Sequence, residues 1–390
     1  MTAAVAAAGR TFERILGRVR GDAPGPTLVV CGGIHGNEPA GALAAQRVAA
    51  ELVARGTPLR GAFTAVAGNL AGLAGDRRYL RTDLNRLWTQ ERVDALLAAD
   101  PRLDVDEDAE QRALIGVFED EQRAARGDVA ILDLHTTSSA GPPFCIFSDT
   151  LPNREAALQL GIPAILGLEE CIDGTLLDHA TKTGMIAFVV EGGQHADPGS
   201  VRRHEAAIWL TLVALGCVDA RDVPDLAGLR AELARATAGM PRAVEIRYRH
   251  ALQPGDAFAM RPGYSGFQPV AEGEVLAAQR GADVRSPLAG RILMPLYQAQ
   301  GDDGFFIVRD VRPFWLGVST WLRRLGVPAL VPLLPGVRQH PERPDWIVVR
   351  PRVARFYRSE LLHLLGFRTR SVTRDAIVFA RRRRRRPGHA

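Results

Sequence analysis

Between Pro26 and Leu215 the apolar positions follow two alternating rhythms. Short runs that are apolar on successive residues predict strands: TLVVCGG from Thr27, AFTAVAGN from Ala62, VAILDLH from Val129, PFCIFS from Pro143 and MIAFVVEGG from Met185. Between them lie stretches with helical spacing, shown best by PAGALAAQRVAAELVARG (39–56). There Pro39 suits a helix start and Gly56 a helix end. Strands with no polar face are expected where helices cover both sides of a sheet. The alternation predicts an α/β domain over residues 26–240, closed by a helix-bearing connector, ARDVPDLAGLRAELARATAGMP.

From about Arg242 glycines and prolines punctuate short strand-like runs: AVEIRYRHAL, DAFAMRPG, VLAAQR, GRILMPLY and GFFIVRD. This texture predicts a small β domain over 241–312. Residues 1–25 carry no such pattern and are set apart as an N-terminal segment. The remainder, 313–390, holds WLGVSTWLRRLGVPALVPLLPG, a strand-like DWIVVRP, a helical VARFYRSELLHLLG and a run of six arginines.

Charge changes the picture only when it is divided. The whole chain carries +5, but residues 338–390 hold 15 arginines against four acids, which leaves the preceding body acidic. The last segment therefore reads as a basic C-terminal extension. Lys182 is the one lysine beside 48 arginines, so arginine runs in this chain are partly a matter of composition. The four cysteines (Cys31, Cys145, Cys171, Cys217) are scattered and form no C-x-x-C pair, which suits a reducing compartment. The first residues lack the basic-then-apolar order of a signal peptide, and no segment approaches about 18 uncharged apolar residues. The expectation is a cytoplasmic protein with no transmembrane segment.

Chemistry gathers at the ends of the strand-like runs. CGGIHGNEPAG places His35 and Glu38 in a glycine-rich turn between a strand and a helix. Ligands in open α/β sheets collect beyond the C-terminal ends of strands. Imidazole nitrogen and carboxylate oxygen are both good donors to Zn²⁺; a polar turn with a helix-capping acid explains the same pair. His135 ends another strand and can supply a third donor, leaving a fourth position open for water. Asp133, two residues earlier on the same strand face, can orient a histidine or be an ordinary strand-end acid. DRRYLRTDLNRLW brings Arg78, Asn85 and Arg86, groups suited to a carboxylate or a developing oxyanion. Glu191, at the end of MIAFVVEGGQ, is an acid where burial is costly unless it is paired or used.

Taken together, H-x-x-E after a G-G turn, D-L-N-R, D-L-H-T and a late strand ending in V-E-G resemble the succinylglutamate desuccinylase/aspartoacylase family. The resemblance covers about residues 26–310. It implies a zinc-carboxypeptidase-like mixed sheet flanked by helices, then a small β domain. It implies one Zn²⁺ per chain on His35, Glu38 and His135, with Glu191 as general acid/base and Arg78 polarising the scissile carbonyl. Asn85 and Arg86 would hold a substrate carboxylate. The implied reaction is hydrolysis of the amide of a small N-acyl amino acid by metal-activated water. Two departures stand out. The family places a further carboxylate-binding arginine shortly before the catalytic glutamate; here Lys182 is the nearest cation and is expected to help Asn85 and Arg86 hold the substrate carboxylate. It also uses a late tyrosine where this chain reads QAQGDDGFF, with Tyr297 nearby but not aligned.

Two other readings remain at this level. One is a zinc carboxypeptidase acting on peptides, against which the small β domain counts because in the family it narrows the entrance. The other is a nucleic-acid or membrane-surface binding protein acting through its basic tail, where weak polyanion contact would be electrostatic and salt-sensitive.

Overall fold

The structure is a computed structural model that describes residues 11–343, 346–350, 362, 364–373 and 376–381. Its first part alternates as the pattern predicts. Strands β1 (Ile15–Arg20) and β2 (Ala23–Gly32) precede helix α1 (Ala40–Arg55). Next come β3 (Arg60–Ala67), α2 (Leu70–Gly75), α3 (Gln90–Ala98) and α4 (Glu107–Ala124). They are followed by β4 (Val129–Thr137), β5 (Phe144–Ile146), α5 (Leu151–Leu158) and β6 (Ala164–Leu166). Then α6 (Leu176–Lys182), β7 (Ile186–Gln194), α7 (Gly199–Ala214) and α8 (Leu226–Ala236) complete this part. α1 ends as its sequence requires: Gly56 adopts φ +59°, and its N–H closes onto the Leu52 and Val53 carbonyls.

The segment after residue 241 supplies β8 (Ala243–Ala251), β9 (Phe258–Met260), β10 (Pro269–Val270), β11 (Val275–Gln279), β12 (Ala282–Arg285), β13 (Gly290–Leu293) and β14 (Asp303–Asp310). Four of these strands continue the main sheet, whose order is β1-β3-β2-β4-β7-β5-β6-β8-β14-β13-β10. The central neighbours β3, β2, β4 and β7 run parallel, whereas β5 is antiparallel to β7 and β8 to β14. β9, β11 and β12 form a separate three-stranded sheet. The large mixed sheet is flanked by helices on both faces. Leu28 and Val30 of β2 face α1, α7 and α8, while Val29 and Cys31 face α3, α4 and α6. This two-sided burial is why β2 reads as a continuous apolar run.

The pattern shows no strand before Thr27, yet β1 pairs antiparallel with β3 at the sheet edge. Its apolar Leu16 and Val19 pack on the core between arginines, so it never forms an apolar run. The C-terminal extension is folded over much of its length. α9 (Pro313–Arg324) leads to an antiparallel sheet of β15 (Val337–Gln339), β16 (Trp346–Val349), β17 (Phe367–Val372) and β18 (Ile377–Arg381). Most of the expected helix VARFYRSELLHLLG, and all of the arginine run after its first residue, lie outside the described residues. Among the described residues no helix is long and apolar enough to cross a membrane.

Candidate active site

Strand register delivers the site. β2, β4 and β7 lie side by side and parallel, so their C-terminal ends open into one region. His135 on β4 is directly opposite Glu191 on β7. Gly32 of β2 is opposite Leu134, which puts the following turn, with His35 and Glu38, beside His135. That turn is packed tightly enough to dictate its own composition. A side chain at Gly36 would collide with the backbone of Gly72 and Arg77.

His35, Glu38 and His135 are all buried, and one ligand atom from each lies within 4.8 Å of the others. The His35 Nδ1 is 2.9 Å from one Glu38 carboxylate oxygen, and the His135 Nδ1 is 3.1 Å from the other. The two Nδ1 atoms stand 3.2 Å apart. The opposite nitrogens are held by acids: His35 Nε2 is 3.1 Å from Asp83 Oδ1, and His135 Nε2 is 2.9 Å from Asp133 Oδ2. An imidazole that gives its Nε2 proton to a carboxylate presents an Nδ1 lone pair. Two such lone pairs and a carboxylate facing one point repel each other unless a positive charge sits between them. The donor set and its outer carboxylates thus fit a divalent cation such as Zn²⁺.

The electrostatics agree. Burial works against charge on Glu38, but the His35 and His135 imidazoles hold its carboxyl well below the usual range. Burial likewise opposes charge on His135, and Asp133 and Glu38 outweigh it, raising the ring's affinity for a proton well above normal. Arg78 is clamped between acids, with Nη1 3.3 Å from Glu38 and Nη2 3.1 Å from Asp83. Glu191 is the exception. Burial, aided by Glu38 and Asp133 against the pull of His135 and Arg78, pushes its carboxyl up to about 8. Its buried Oε2 has no hydrogen-bond partner among the described residues.

The ligand group opens into a cleft of about 970 Å³, mouth included, lined also by Arg78, Asn85, Arg86 and Glu191. Seven of the eight residues expected to bind metal or substrate or to carry the chemistry therefore line one cleft. Asn85 and Arg86 arrive already engaged. Asn85 Oδ1 accepts the Leu176 N–H at 2.9 Å, and Arg86 pairs with Asp303 at 3.2 Å and Asp302 at 3.6 Å. Lys182 is the correction. It is the last residue of α6, half exposed, paired with Asp178 at 2.5 Å, and it does not line the cleft. An (i, i+4) acid on its own helix captures it. Tyr297 also stays outside, its hydroxyl donating to the Arg261 carbonyl.

Several contributors were not read from the sequence. Asp83 was visible only as the first letter of D-L-N-R; it bridges His35, Arg78 and the Asn85 N–H. Glu107 fastens the same loop by accepting from the N–H groups of Leu80, Arg81 and Thr82. The far wall comes from residues 168–177 and 294–306, joined to the His35–Glu38 turn through Asn37, Gln298, His195 and Thr136. Apolar wall residues carry no sequence signal that separates them from core.

Residues 24–214 match the family model of the succinylglutamate desuccinylase/aspartoacylase catalytic domain. Among solved structures, a succinylglutamate desuccinylase/aspartoacylase from Rhodobacter sphaeroides aligns with a TM-score of 0.54 at 20% identity, covering 75% of this chain and 88% of that one. The product-bound ectoine utilization protein of Ruegeria pomeroyi gives a TM-score of 0.54 at 16% identity, covering 75% and 87%. Succinylglutamate desuccinylase from Vibrio cholerae gives 0.53 at 17% identity, covering 76% and 85%. At these identities the structural likeness concerns the fold. No curated protein matches the sequence.

Proposed function

We propose that the chain, whose residues 24–214 match the catalytic-domain model of the succinylglutamate desuccinylase/aspartoacylase family, is a zinc-dependent hydrolase that cleaves the amide of a small N-acyl amino acid. The observation that carries this reading is the pairing of His135 with Glu191 across adjacent strands. It puts three groups able to hold a cation beside a buried carboxyl whose raised proton affinity suits it to take up a proton and hand it on. His35, Glu38 and His135 would hold one Zn²⁺. Such an ion supplies Lewis acidity toward the scissile carbonyl and toward an attacking water.

The chain's own groups do the rest. Glu191 takes a proton from the attacking water as its oxygen bonds to the carbonyl carbon, then passes the proton to the nitrogen as the C–N bond breaks. Arg78, fixed by Glu38 and Asp83, stabilises negative charge on the carbonyl oxygen. Asn85 and Arg86 hold the substrate carboxylate. Asp83 and Asp133 fix the tautomers of the two histidines. Met294, Leu296, Gln298 and Asp302 crowd one side of the cleft, which favours small substrates over peptides. The test is amine release from a panel of N-acyl amino acids by purified zinc-loaded protein, repeated after chelation. Activity that survives complete removal of metal would refute the reading.

A further inference from the structure

Beyond the metal end, the cleft changes character. Ile146, Leu168, Ile172, Leu177, Met294 and Phe306 line it, drawn from five separate segments of the chain. Positive charge is scarce there. The lining holds two arginines, and both have acids beside them. Arg78 lies between Glu38 and Asp83. Arg86 lies against Asp303 and Asp302, which line the same cleft. Lys182, the nearest other cation before Glu191 in sequence, is spent on Asp178 outside the lining.

We propose that the substrate carries a single carboxylate, taken by Arg86 and Asn85, and that its remaining substituents are apolar. This rests on the deacylase reading above and narrows it. A first carboxylate can compete with Asp302 for Arg86, because that pair is the longer one, at 3.6 Å, and Asp302 is half exposed. A second carboxylate would find no further guanidinium in the lining and would meet apolar side chains, the acids Glu169 and Asp303, and only the neutral polar groups of Thr175 and Gln298. An unpaired charge is strongly disfavoured in such surroundings, whereas each methylene of an apolar group gains from burial there. The apolar group can belong to the amino acid or to the acyl chain, and both present the same chemistry to this wall.

The experiment compares four substrates with the zinc-loaded full chain: N-acetylleucine, N-butyrylleucine, N-acetylaspartate and N-succinylleucine. The expected result is a kcat/KM for N-acetylleucine at least about tenfold above that for N-acetylaspartate, within the usual range for a pocket that reads one group. Preference for butyryl over succinyl in the second pair would place the apolar group on the acyl side. Binding of free leucine and free aspartate, followed by calorimetry, supplies a readout independent of turnover, with leucine the tighter ligand. Asp302→Asn should relax the preference toward N-acetylaspartate severalfold by removing one of the negative charges that a second carboxylate meets in the cleft. Equal or better use of the dicarboxylates by the parent protein overturns this inference and leaves the deacylase reading standing. No hydrolysis of any of the four, with aspartate bound as tightly as leucine, overturns both.

Discussion

The two ends of the cleft are held together by different forces. At the strand ends charged groups restrain one another: Glu38 touches His35, His135, Arg78 and the Thr136 N–H, and Asp83 touches His35 and Arg78. At the far wall the contacts are largely apolar, from Leu168, Ile172, Leu177, Met294 and Phe306. A network of buried charges fails as a unit, because removing one member leaves another uncompensated. An apolar wall yields by increments, roughly in proportion to the area lost. Substitutions at the first end should therefore abolish chemistry, and those at the second should adjust which substrate is used.

The largest effect is expected at the ligands. His135→Ala removes a donor and leaves Glu38 and Asp133 facing each other without the imidazole between them. Bound zinc, measured by elemental analysis, should fall to a small fraction, and hydrolysis should vanish. Full zinc in that variant would remove His135 from the site.

Glu191→Gln should come next. The amide keeps the shape but cannot carry a proton, so turnover should drop by at least about a hundredfold while zinc content stays unchanged. The same variant has a second readout in chelator-treated protein. A carboxyl at about 8 in the fold, against an ordinary value near 4.5, holds its proton more tightly folded than unfolded. Its contribution to stability is full below the ordinary value and is lost as the pH rises towards 8. The melting temperature of the parent should therefore fall relative to Glu191→Gln across that window. A difference that does not change with pH would mean that Glu191 is solvated or paired.

A third substitution probes the outer layer of the network. Asp83→Asn keeps an oxygen for His35 but loses the charge that fixes its tautomer and balances Arg78. Outer partners of metal-bound histidines typically contribute about 10–100-fold in metal affinity or activity. A competition titration with a zinc chelator should show a loss in that range. No change would confine the role of Asp83 to capping the turn at Asn85.

The same contrast explains what could be read in advance. The strand-end site was legible because polar residues stand out against apolar strands: His135 and Glu191 interrupt largely apolar runs and are buried with them. Helix α1 was legible through its period and its terminal Pro39 and Gly56. The far wall was hidden, since Leu168 or Met294 looks the same whether it lines a cleft or fills a core. Only the topology, with β8, β14 and β13 continuing the main sheet past β6, carries residues 294–306 round to the His35–Glu38 turn. Lys182 misled because nearness to Glu191 in sequence says nothing of the side on which α6 presents it. The extension was legible only in part: DWIVVRP reads as a strand and is β16, but arginines that read as a basic tail also work as internal ties, Arg323 and Arg368 among them. Arg323 reaches Asp149 of the catalytic part at 3.1 Å, and Asp149 is also gripped by the buried Arg154.

The smallest expected effect tests whether the second tie, Arg368, reaches the chemistry. β17 lies against residues 168–170, and Arg368 on that strand is 3.8 Å from Asp178 of α6. Leu168 and Leu177, which flank this contact in sequence, line the cleft, so the extension backs the wall without entering it. Asp178 keeps Lys182 as a second partner, at 2.5 Å, so losing Arg368 does not strand a buried charge. Both side chains are largely buried, but the pair is long and its acid is otherwise satisfied, so its loss should cost no more than a weak ion pair does, about 1 kcal/mol. On that scale Arg368→Ala should raise KM by at most about fivefold, because 1.4 kcal/mol corresponds to a factor of ten. The value of kcat and the zinc content should stay at the parent level, since no ligand or proton-carrying group is touched. A fall in kcat with KM unchanged would mean that the extension acts on the metal end, and that the two ends are mechanically one.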